Sequence, residues 1–220
     1  MLDLLTAPLA AAMLLQAPVP FEAGPFEEGV DLAATAVSHG APLQSVLDLG
    51  TRPEARLGET QRVAAQFCRE VETWSPFLSR FDPATFRGFE VWADEQLLWV
   101  EEEFDAPQAR LFVRRGSAAA LALAGARPHD RYQLELVVRE IHAGRPWIEV
   151  TAARWTREQT PQGTVLHAIR ALELMERDGW TLAVGQFERA LAPDLPPHVR
   201  AELERLKAEC EATIAALLAN

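Results

Sequence analysis

The chain has 220 residues, of which 49% are hydrophobic and 24% are charged, and its formal net charge is −11. This composition is typical of a folded globular protein and excludes a disordered chain. Residues 1–56 contribute −5, and residues 57–163 and 164–220 contribute −3 each, so a nucleic-acid partner is not expected, because neutralising phosphates requires a basic excess.

The first twenty residues are apolar and rich in small side chains, MLDLLTAPLAAAMLLQAPVP. A stretch of this kind predicts a signal peptide, and therefore an exported or periplasmic protein. Asp3 stands where a signal peptide carries a basic residue, so an apolar N-terminal helix on a cytoplasmic protein is the alternative. Pro8 interrupts the stretch, which is too short to predict a transmembrane helix, and no integral membrane span is expected in the mature chain.

Residues 21–56 predict a linker, because Pro, Gly and Glu dominate its first half, with a short helix around residues 42–49. Residues 57–160 predict three strands, a short helix and two further strands. The first three strands are expected at residues 62–72, 89–93 and 109–115, with a long loop, WSPFLSRFDPATF, after the first.

Ser117 and Gly125 suit the beginning and the end of the short helix that follows the third strand. The last two strands are expected at residues 132–141 and 147–155, joined by a turn at Ala-Gly-Arg-Pro. Three strands, a helix and two strands resemble the OB-fold, a five-stranded Greek-key barrel with its helix between the third and fourth strands. The resemblance rests on the order of elements and on no catalytic motif, and a small mixed α/β sheet is the alternative.

The period of the apolar residues changes from two to nearly four at residue 164. Leu166, Ile169, Leu172 and Met175 have helical spacing, and Asp178-Gly179 separates them from a second helix. That second helix carries Trp180, Ala183, Phe187 and Ala190-Leu191 at spacings that resemble one tetratricopeptide repeat. The glycine is displaced by one residue within the turn, and only one further helix, residues 197–218, follows.

A single repeat has to bury its apolar faces elsewhere, because such repeats normally do so by stacking. The sequence therefore predicts an α+β protein in which an OB-like barrel precedes a three-helix tetratricopeptide-like segment, residues 164–220. The helices are expected either to pack on the barrel or to pair with another protein. An unrelated three-helix appendage is the alternative for this segment.

The residues that most often carry catalysis or bind metals have no recognised arrangement. None of the five histidines stands at a ligand spacing from another His, Cys or carboxylate, so no metal, cofactor or catalytic residue is predicted. Ser117 is explained by helix capping, and the acidic run Glu101–Glu103 by a solvated loop. Cys68 and Cys210 are interpreted as two buried thiols, with pairing across a domain interface left open.

Aromatic residues crowd the region between residues 74 and 104. Most are expected to fill the core or to hold the long loop. Trp92 and Trp99 are the candidates for exposed contacts with a ligand or partner. Trp147 and Trp155 lie on the face of the last strand opposite its aliphatic row, and we expect them to form the docking surface for the helices.

The predicted function is that of a non-enzymatic binding or scaffold protein with an unidentified protein partner, acting through the barrel and the helical hairpin in the cell envelope. Binding of an oligosaccharide or of single-stranded nucleic acid on the barrel face is the first alternative. An enzyme with a site assembled from scattered residues is the second. The sequence leaves the oligomeric state open.

Overall fold

The computed structural model describes residues 43–51, 53–74, 80–142 and 144–219, which belong to one compact unit. The strands are β1 (Thr60–Val71), β2 (Phe86–Ala93), β3 (Ala109–Arg114), β4 (Arg131–His142) and β5 (Arg145–Trp155). The helices are α1 (Val46–Thr51), α2 (Glu101–Phe104), α3 (Ala118–Ala122), α4 (Gln162–Met175), α5 (Trp180–Ala190) and α6 (Pro197–Ala219), with a 3-10 turn at Pro53–Arg56. The predicted α+β class is confirmed.

The five strands close into a barrel in the order β1-β2-β3-β5-β4, and β4 pairs back with β1. Every pair is antiparallel except β3 with β5, where Leu111 lies opposite Ile148 in a parallel ladder. A parallel pair needs a long connection, which α3 and β4 supply here. The predicted order of three strands, a short helix and two strands is confirmed.

Alternate residues of each strand point into the barrel, as the period of a pleated strand requires. The inward row includes Val63, Ala65, Leu111, Val113, Leu134, Leu136, Val138, Ile148 and Val150. Two helices complete this core. The helix α1, with buried Val46 and Leu49, packs against β1, β3 and β5, and α3, with buried Ala119 and Ala120, packs mainly against β5 and also against β3.

Several bounds differ from those predicted. The ladder between β1 and β2 shifts register at Cys68, and this bulge explains the mixed alternation of the first strand. The acidic run Glu101–Glu103 was expected to be a loop but forms the single turn of α2. The strand β5 begins at Arg145, so the hairpin turn is shorter than Ala-Gly-Arg-Pro. Ser117 caps α3 as predicted, since its hydroxyl accepts from the Ala120 N–H.

The helices α4 and α5 form an antiparallel hairpin, and α6 packs on α5. The fully buried residues between the helices are mostly small, with Ala168, Ala171, Ala183 and Ala190 at 0% exposure. Small side chains let helix backbones approach closely, and the Thr164 hydroxyl donates to the Ala190 carbonyl across the α4–α5 interface at 2.8 Å. Ala171 of α4 and Ala183 of α5 are thus among the small residues at the interface between these helices.

The turn between α4 and α5 explains the displaced glycine. Asp178, and not the glycine after it, adopts the left-handed conformation, with φ 57°. Gly179 has an ordinary φ, but a Cβ atom there would lie 3.1 Å from the Leu174 carbonyl oxygen. The glycine is therefore required by close approach of the chain and not by its torsion angles.

The predicted signal peptide or apolar N-terminal helix, and most of the predicted linker, lie outside the described residues. The short helix expected around residues 42–49 is found as α1, a few residues later. Within the described part of the chain, no helix has both the length and the apolar character needed to cross a bilayer.

Candidate functional site

The helices pack on the barrel through one apolar cluster, which we call the junction cluster. From the barrel side it contains Cys68, Trp92, Leu98 and Trp99, and from the helices it contains Val165, Ala168, Ala171, Ala183, Phe187, Ala190, Leu195, Val199, Leu203, Leu206 and Cys210. Both cysteines are free, buried thiols of this cluster, as expected. Burial raises the pKa of Cys68 and of Cys210, so both thiols stay protonated near neutral pH.

The barrel side of the junction is a loop held by one buried carboxamide. Gln96, 4% exposed, accepts from the Ala93 N–H at 2.7 Å and donates to the carbonyls of Glu103 and Ala106 at 2.8 and 3.0 Å. The Trp92 indole N–H donates to the Phe104 carbonyl at 2.8 Å. These bonds fix the segment from residue 93 to residue 106, which presents Leu98 and Trp99 to the helices.

The expectation that Trp92 and Trp99 are exposed is wrong. Their exposed fractions are 3% and 5%, because Phe104 and His129 stack on Trp92 and the junction cluster packs around both indoles. Little of either ring is therefore exposed, and each contributes only to the lining of a cavity described below. No local pattern indicated this burial, since His129 and the helices that help to cover the indoles lie much later in the chain.

The expected docking of the helices on Trp147 and Trp155 is also wrong. Trp147 stacks on Phe112 with a ring-centroid distance of 5.0 Å and an interplanar angle of 1°. It belongs to an aromatic cluster on the outer face of the barrel, formed with Trp74, Phe81, Phe86 and Phe112. Trp155 is 49% exposed. The helices instead pack on the side of the barrel that carries Cys68 of β1 and Trp92 of β2.

The linker between β5 and α4 is held by a buried ion pair. The Arg131 guanidinium, 7% exposed as a residue, binds both carboxylate oxygens of Asp94 at 2.6 and 2.7 Å and reaches Glu158 at 3.3 Å. The Thr156 hydroxyl donates to the Arg131 carbonyl. The ion pair thus joins β4, the loop after β2 and the linker, and it sets where the helices lie.

An open apolar groove of about 530 Å³ runs between α4 and the loop that carries Trp99. Its apolar lining is Leu98, Trp99, Phe104, Val165, Leu166, Ile169 and Leu172, and its charged lining is Glu101, Glu173 and Glu176. Leu166 is 58% exposed and Ile169 is 37% exposed. Among the described residues these three carboxylates take part in no ion pair, so the rim of the groove is negative and uncompensated.

The apolar groove adjoins a polar cavity of about 660 Å³, and both are lined by Phe104, His129 and Gln162. The polar cavity is lined further by Cys68, Arg69, Trp92, Asp105, Arg127, Pro128, Asp130, Gln159 and Pro161. We call the two cavities together the junction groove. Its apolar half is acidic at the rim, and its polar half carries two arginines and two aspartates.

His129 stands where the two halves meet. It is 8% exposed, and its ring stacks on Trp92 with centroids 5.4 Å apart. Its backbone is left-handed, with φ 78°, and its N–H donates to the Phe67 carbonyl. Burial lowers the pKa of His129, and the nearby Asp130 opposes that effect. The imidazole is therefore neutral near pH 7, and its buried Nδ1 atom has no hydrogen-bond partner.

A second open cavity, of about 800 Å³, lies on the barrel beside the aromatic cluster. Trp147 and Phe112 line it together with Arg110, His142 and Arg145. A smaller arginine-lined cavity lies across the same face, but its Arg139 and Arg114 approach Glu149 at 2.6 and 3.8 Å. The positive charge of that cavity is therefore partly compensated.

Sequence reasoning missed the junction groove because it assigned the large apolar residues of α4 to the packing interface. The buried stripe consists of Val165, Ala168 and Ala171, while Leu166 and Ile169 face the groove. The sequence did contain a signal of this groove. The buried stripe of α4 and the residues that face the groove together form an apolar arc that is wider than one packing face needs. His129 carried no such signal.

Groups of three or more potential metal ligands do not occur among the residues that the structure describes. No protein-family model and no curated protein matches this sequence.

Proposed function

We propose that this chain is a non-enzymatic protein-interaction module whose junction groove binds a segment of a partner protein. The observation that carries the proposal is the groove between α4 and the Trp99 loop, where exposed Leu166 and Ile169 form an apolar floor. Exposed apolar surface with a polar rim is typical of protein-binding sites. Capping by Ser117 and the protonated Cys68 thiol also favour binding over nucleophilic chemistry.

The charge of the rim defines the partner. Glu101, Glu173 and Glu176 line the groove without ion-pair partners among the described residues. A complementary segment therefore carries apolar side chains flanked by Lys or Arg. Such rim charges act mainly on the rate of association and on the choice of partner, and their effect weakens as salt is added.

Partner binding by the groove is tested by comparing positions 166 and 169, which line it, with position 182, which lies outside it. A photoreactive residue at position 166 is used in the native host to crosslink and identify the partner, with position 182, an exposed leucine of α5 outside the groove lining, as the control. The purified partner is then titrated with full-length wild-type, Ile169→Glu and Leu182→Glu proteins. We expect Ile169→Glu to weaken binding at least about tenfold, as loss of a central apolar contact does, and Leu182→Glu to leave it unchanged.

Equal affinities of the wild-type and Ile169→Glu proteins for the identified partner would refute the proposal. So would crosslinking that is equally efficient from positions 166 and 182. Reversal of the rim charge with Glu173→Lys and Glu176→Lys provides a second test. We expect it to slow association at low salt, with the difference shrinking at high salt.

The fold families and the location of the protein are part of the same proposal. The strand order, the parallel pairing of β3 with β5 and the position of α3 support an OB-fold barrel. The α4–α5 hairpin, with its buried Ala183, Phe187 and Ala190, supports a single tetratricopeptide-like repeat. The apolar residues 1–20 support action in the cell envelope, which N-terminal mass spectrometry of the protein from its host tests directly.

The barrel face supports a second candidate function, the binding of a neutral oligosaccharide. Trp147 lines the cavity of about 800 Å³ with His142 and Arg145, and an indole face beside polar groups suits a sugar ring. Titration with cellohexaose and chitohexaose, followed by tryptophan fluorescence, tests this candidate. A signal that persists in Trp147→Ala would contradict it.

A further inference from the structure

The apolar half of the junction groove runs along the whole of α4. Its lining includes Gln162, the first residue of α4, and Glu176, which caps the helix at its other end. A helix of 14 residues is about 21 Å long. Between the two ends, Leu166, Ile169 and Glu173 follow one another at intervals of three or four residues and form one stripe. The surface that α4 offers to a ligand is therefore long and straight.

The walls of this half of the groove offer no strand edge. None of the described residues that line it belongs to a strand, and the strands of the barrel pair in a closed ring. Along α4 the peptide groups bond to one another within the helix. In the facing loop, the N–H groups of Val100, Glu103 and Phe104 donate to carbonyls of the same loop, and the Leu97 N–H donates to the Glu103 carboxylate at 2.6 Å. A ligand therefore meets mainly side chains.

A peptide ligand must for this reason satisfy its own main-chain groups. An extended segment would hold N–H and C=O groups over Leu166 and Ile169 without partners, and each such group destabilises the complex when it loses water. Extended peptides bind well where they can pair with an open sheet edge. A helix satisfies its peptide groups internally and presents apolar side chains at i, i+3, i+4 and i+7 to an apolar groove.

The negative charge that α4 contributes is concentrated at one end of the groove. Glu173 lies near the C-terminal end of α4 and Glu176 caps it, and both residues are exposed. The C-terminal end of a helix also carries a partial negative charge. Leu166 and Ile169 lie nearer the N-terminal end. A complementary helix therefore carries Lys or Arg at the end that reaches the two glutamates and apolar residues along the rest of its contact face.

We propose that the apolar half of the junction groove binds an amphipathic helix of the partner, which lies along α4 with its basic end against Glu173 and Glu176. The apolar stripe of this helix inserts between α4 and the loop that carries Trp99. Its main chain needs no hydrogen bond from the groove, and its charged contacts stay at the solvated rim. This inference rests on the proposed function and adds the conformation of the partner segment and its register along α4.

The conformation is tested with peptides selected on the full-length protein from a random display library of the same length as α4. Alanine scanning of the tightest peptide finds the positions that face away from the groove. Two of them, at i and i+4, are joined by a lactam bridge that holds a helix, and a central one is replaced by proline, which breaks a helix. We expect the bridged peptide to bind at least as tightly as its parent, since less order is lost on binding. Proline should weaken binding about a hundredfold, whereas alanine at that position has no effect.

The register is tested by exchanging charges. Reversal of the basic end of the peptide to Glu should weaken its binding to the wild-type protein about tenfold at low salt. The combined Glu173→Lys and Glu176→Lys variant should recover most of that loss, because the two changes again place opposite charges together. The combined Glu204→Lys and Glu211→Lys variant is the matched control, since both residues are exposed on α6 outside the groove lining, and it should recover nothing.

Loss of binding on bridging, or a proline peptide that binds as tightly as its parent, would overturn the helical conformation. Equal recovery by the α6 variant would overturn the register. If Ile169→Glu still abolishes binding in these cases, the groove remains the binding site and the proposed function stands. Peptides insensitive to Ile169→Glu, or a selection that yields no binder, would refute the proposed function and this inference with it. Self-association of the protein that Ile169→Glu abolishes would do the same, because the occupant would then be a second copy of the chain.

Discussion

At the scale of single residues, two backbone positions carry unfavourable torsion angles for different reasons. His129 and Asp178 are the residues other than glycine that have positive φ within the described chain. His129 lines a cavity and is buried, whereas Asp178 is exposed in the turn between α4 and α5. His129 is therefore a candidate functional residue, whereas the left-handed conformation of Asp178 allows a short turn between two helices.

The left-handed conformation of Asp178 lets us predict how substitutions at this position change the free energy of unfolding. Asp178→Val should lower the free energy of unfolding by about 1–2 kcal/mol, because a β-branched residue tolerates the left-handed region poorly. Asp178→Gly, which relieves the torsion, is the control and should equal or exceed the wild type in urea unfolding. A stable Asp178→Val protein would show that this turn changes conformation at little cost.

The buried His129 should make the free energy of unfolding of the protein depend on pH. Burial lowers its pKa in the folded protein below the ordinary value of 6.5, while the unfolded chain keeps that value. Between the folded pKa and 6.5 the unfolded state binds more protons, so stability falls as the pH decreases through this window and is unaffected above it. Urea unfolding from pH 8 to pH 5 measures the slope. His129→Phe should show a shallower decline, and equal slopes would contradict the assignment.

At the scale of elements, the junction depends on how the loop after β2 and the linker after β5 are held. The Arg131 guanidinium binds Asp94 with two hydrogen bonds and approaches Glu158 in the linker. The pair is largely buried, so its two charges depend on each other. Gln96 holds the same loop from within through three hydrogen bonds.

Removal of one member of the Arg131–Asp94 ion pair should therefore strongly destabilise the protein. Arg131→Met leaves the Asp94 carboxylate buried without a counter-charge, and we expect the free energy of unfolding to fall by about 3–5 kcal/mol. Arg205→Met is the matched control, because Arg205 forms exposed ion pairs with Glu202 and Glu209 on α6. It should leave stability unchanged in the same denaturation experiment. The combined Arg131→Met and Asp94→Leu variant should recover part of the loss.

At the scale of the whole molecule, the barrel and the helices share one junction cluster and belong to one compact unit. A lone helical hairpin buries too little apolar surface to be stable by itself. Here Trp92, Leu98 and Trp99 supply the missing partner surface from the barrel. We therefore expect the two parts to unfold together, and the junction groove to exist only while they are joined.

Two tryptophan variants test this coupling. Trp99→Ala removes a buried indole from the junction, and we expect a loss of about 3–5 kcal/mol together with rapid proteolysis in the linker at residues 156–161. Trp155→Ala, at a half-exposed position near the same linker, should change stability by about 0.5 kcal/mol or less. Linker cleavage that is equally slow in both variants would show that the helices do not depend on the Trp99 contact.

The sequence by itself determined the kind and order of the elements. Alternation of apolar residues, the capping serine Ser117 and the change of period near residue 164 are local signals, and they sufficed for five strands, the short helix between β3 and β4, and three C-terminal helices. Cys68 and Cys210, which are isolated in the sequence and were interpreted as buried thiols with pairing left open, are free in the structure. Each of these features depends on residues that lie close together in the sequence.

Only the tertiary structure decided which surfaces meet. Trp92 and Trp147 both lie on outward faces of strands, and no local pattern says which of them the helices cover. The path of the linker and the Arg131–Asp94 pair bring the helices onto Trp92, while the loop after β1 brings Phe81 onto Phe112 and Trp147. The positions of His129 and of the groove beside it follow from the same long-range packing, because a cavity is made by the elements around it and not by any one segment of the chain.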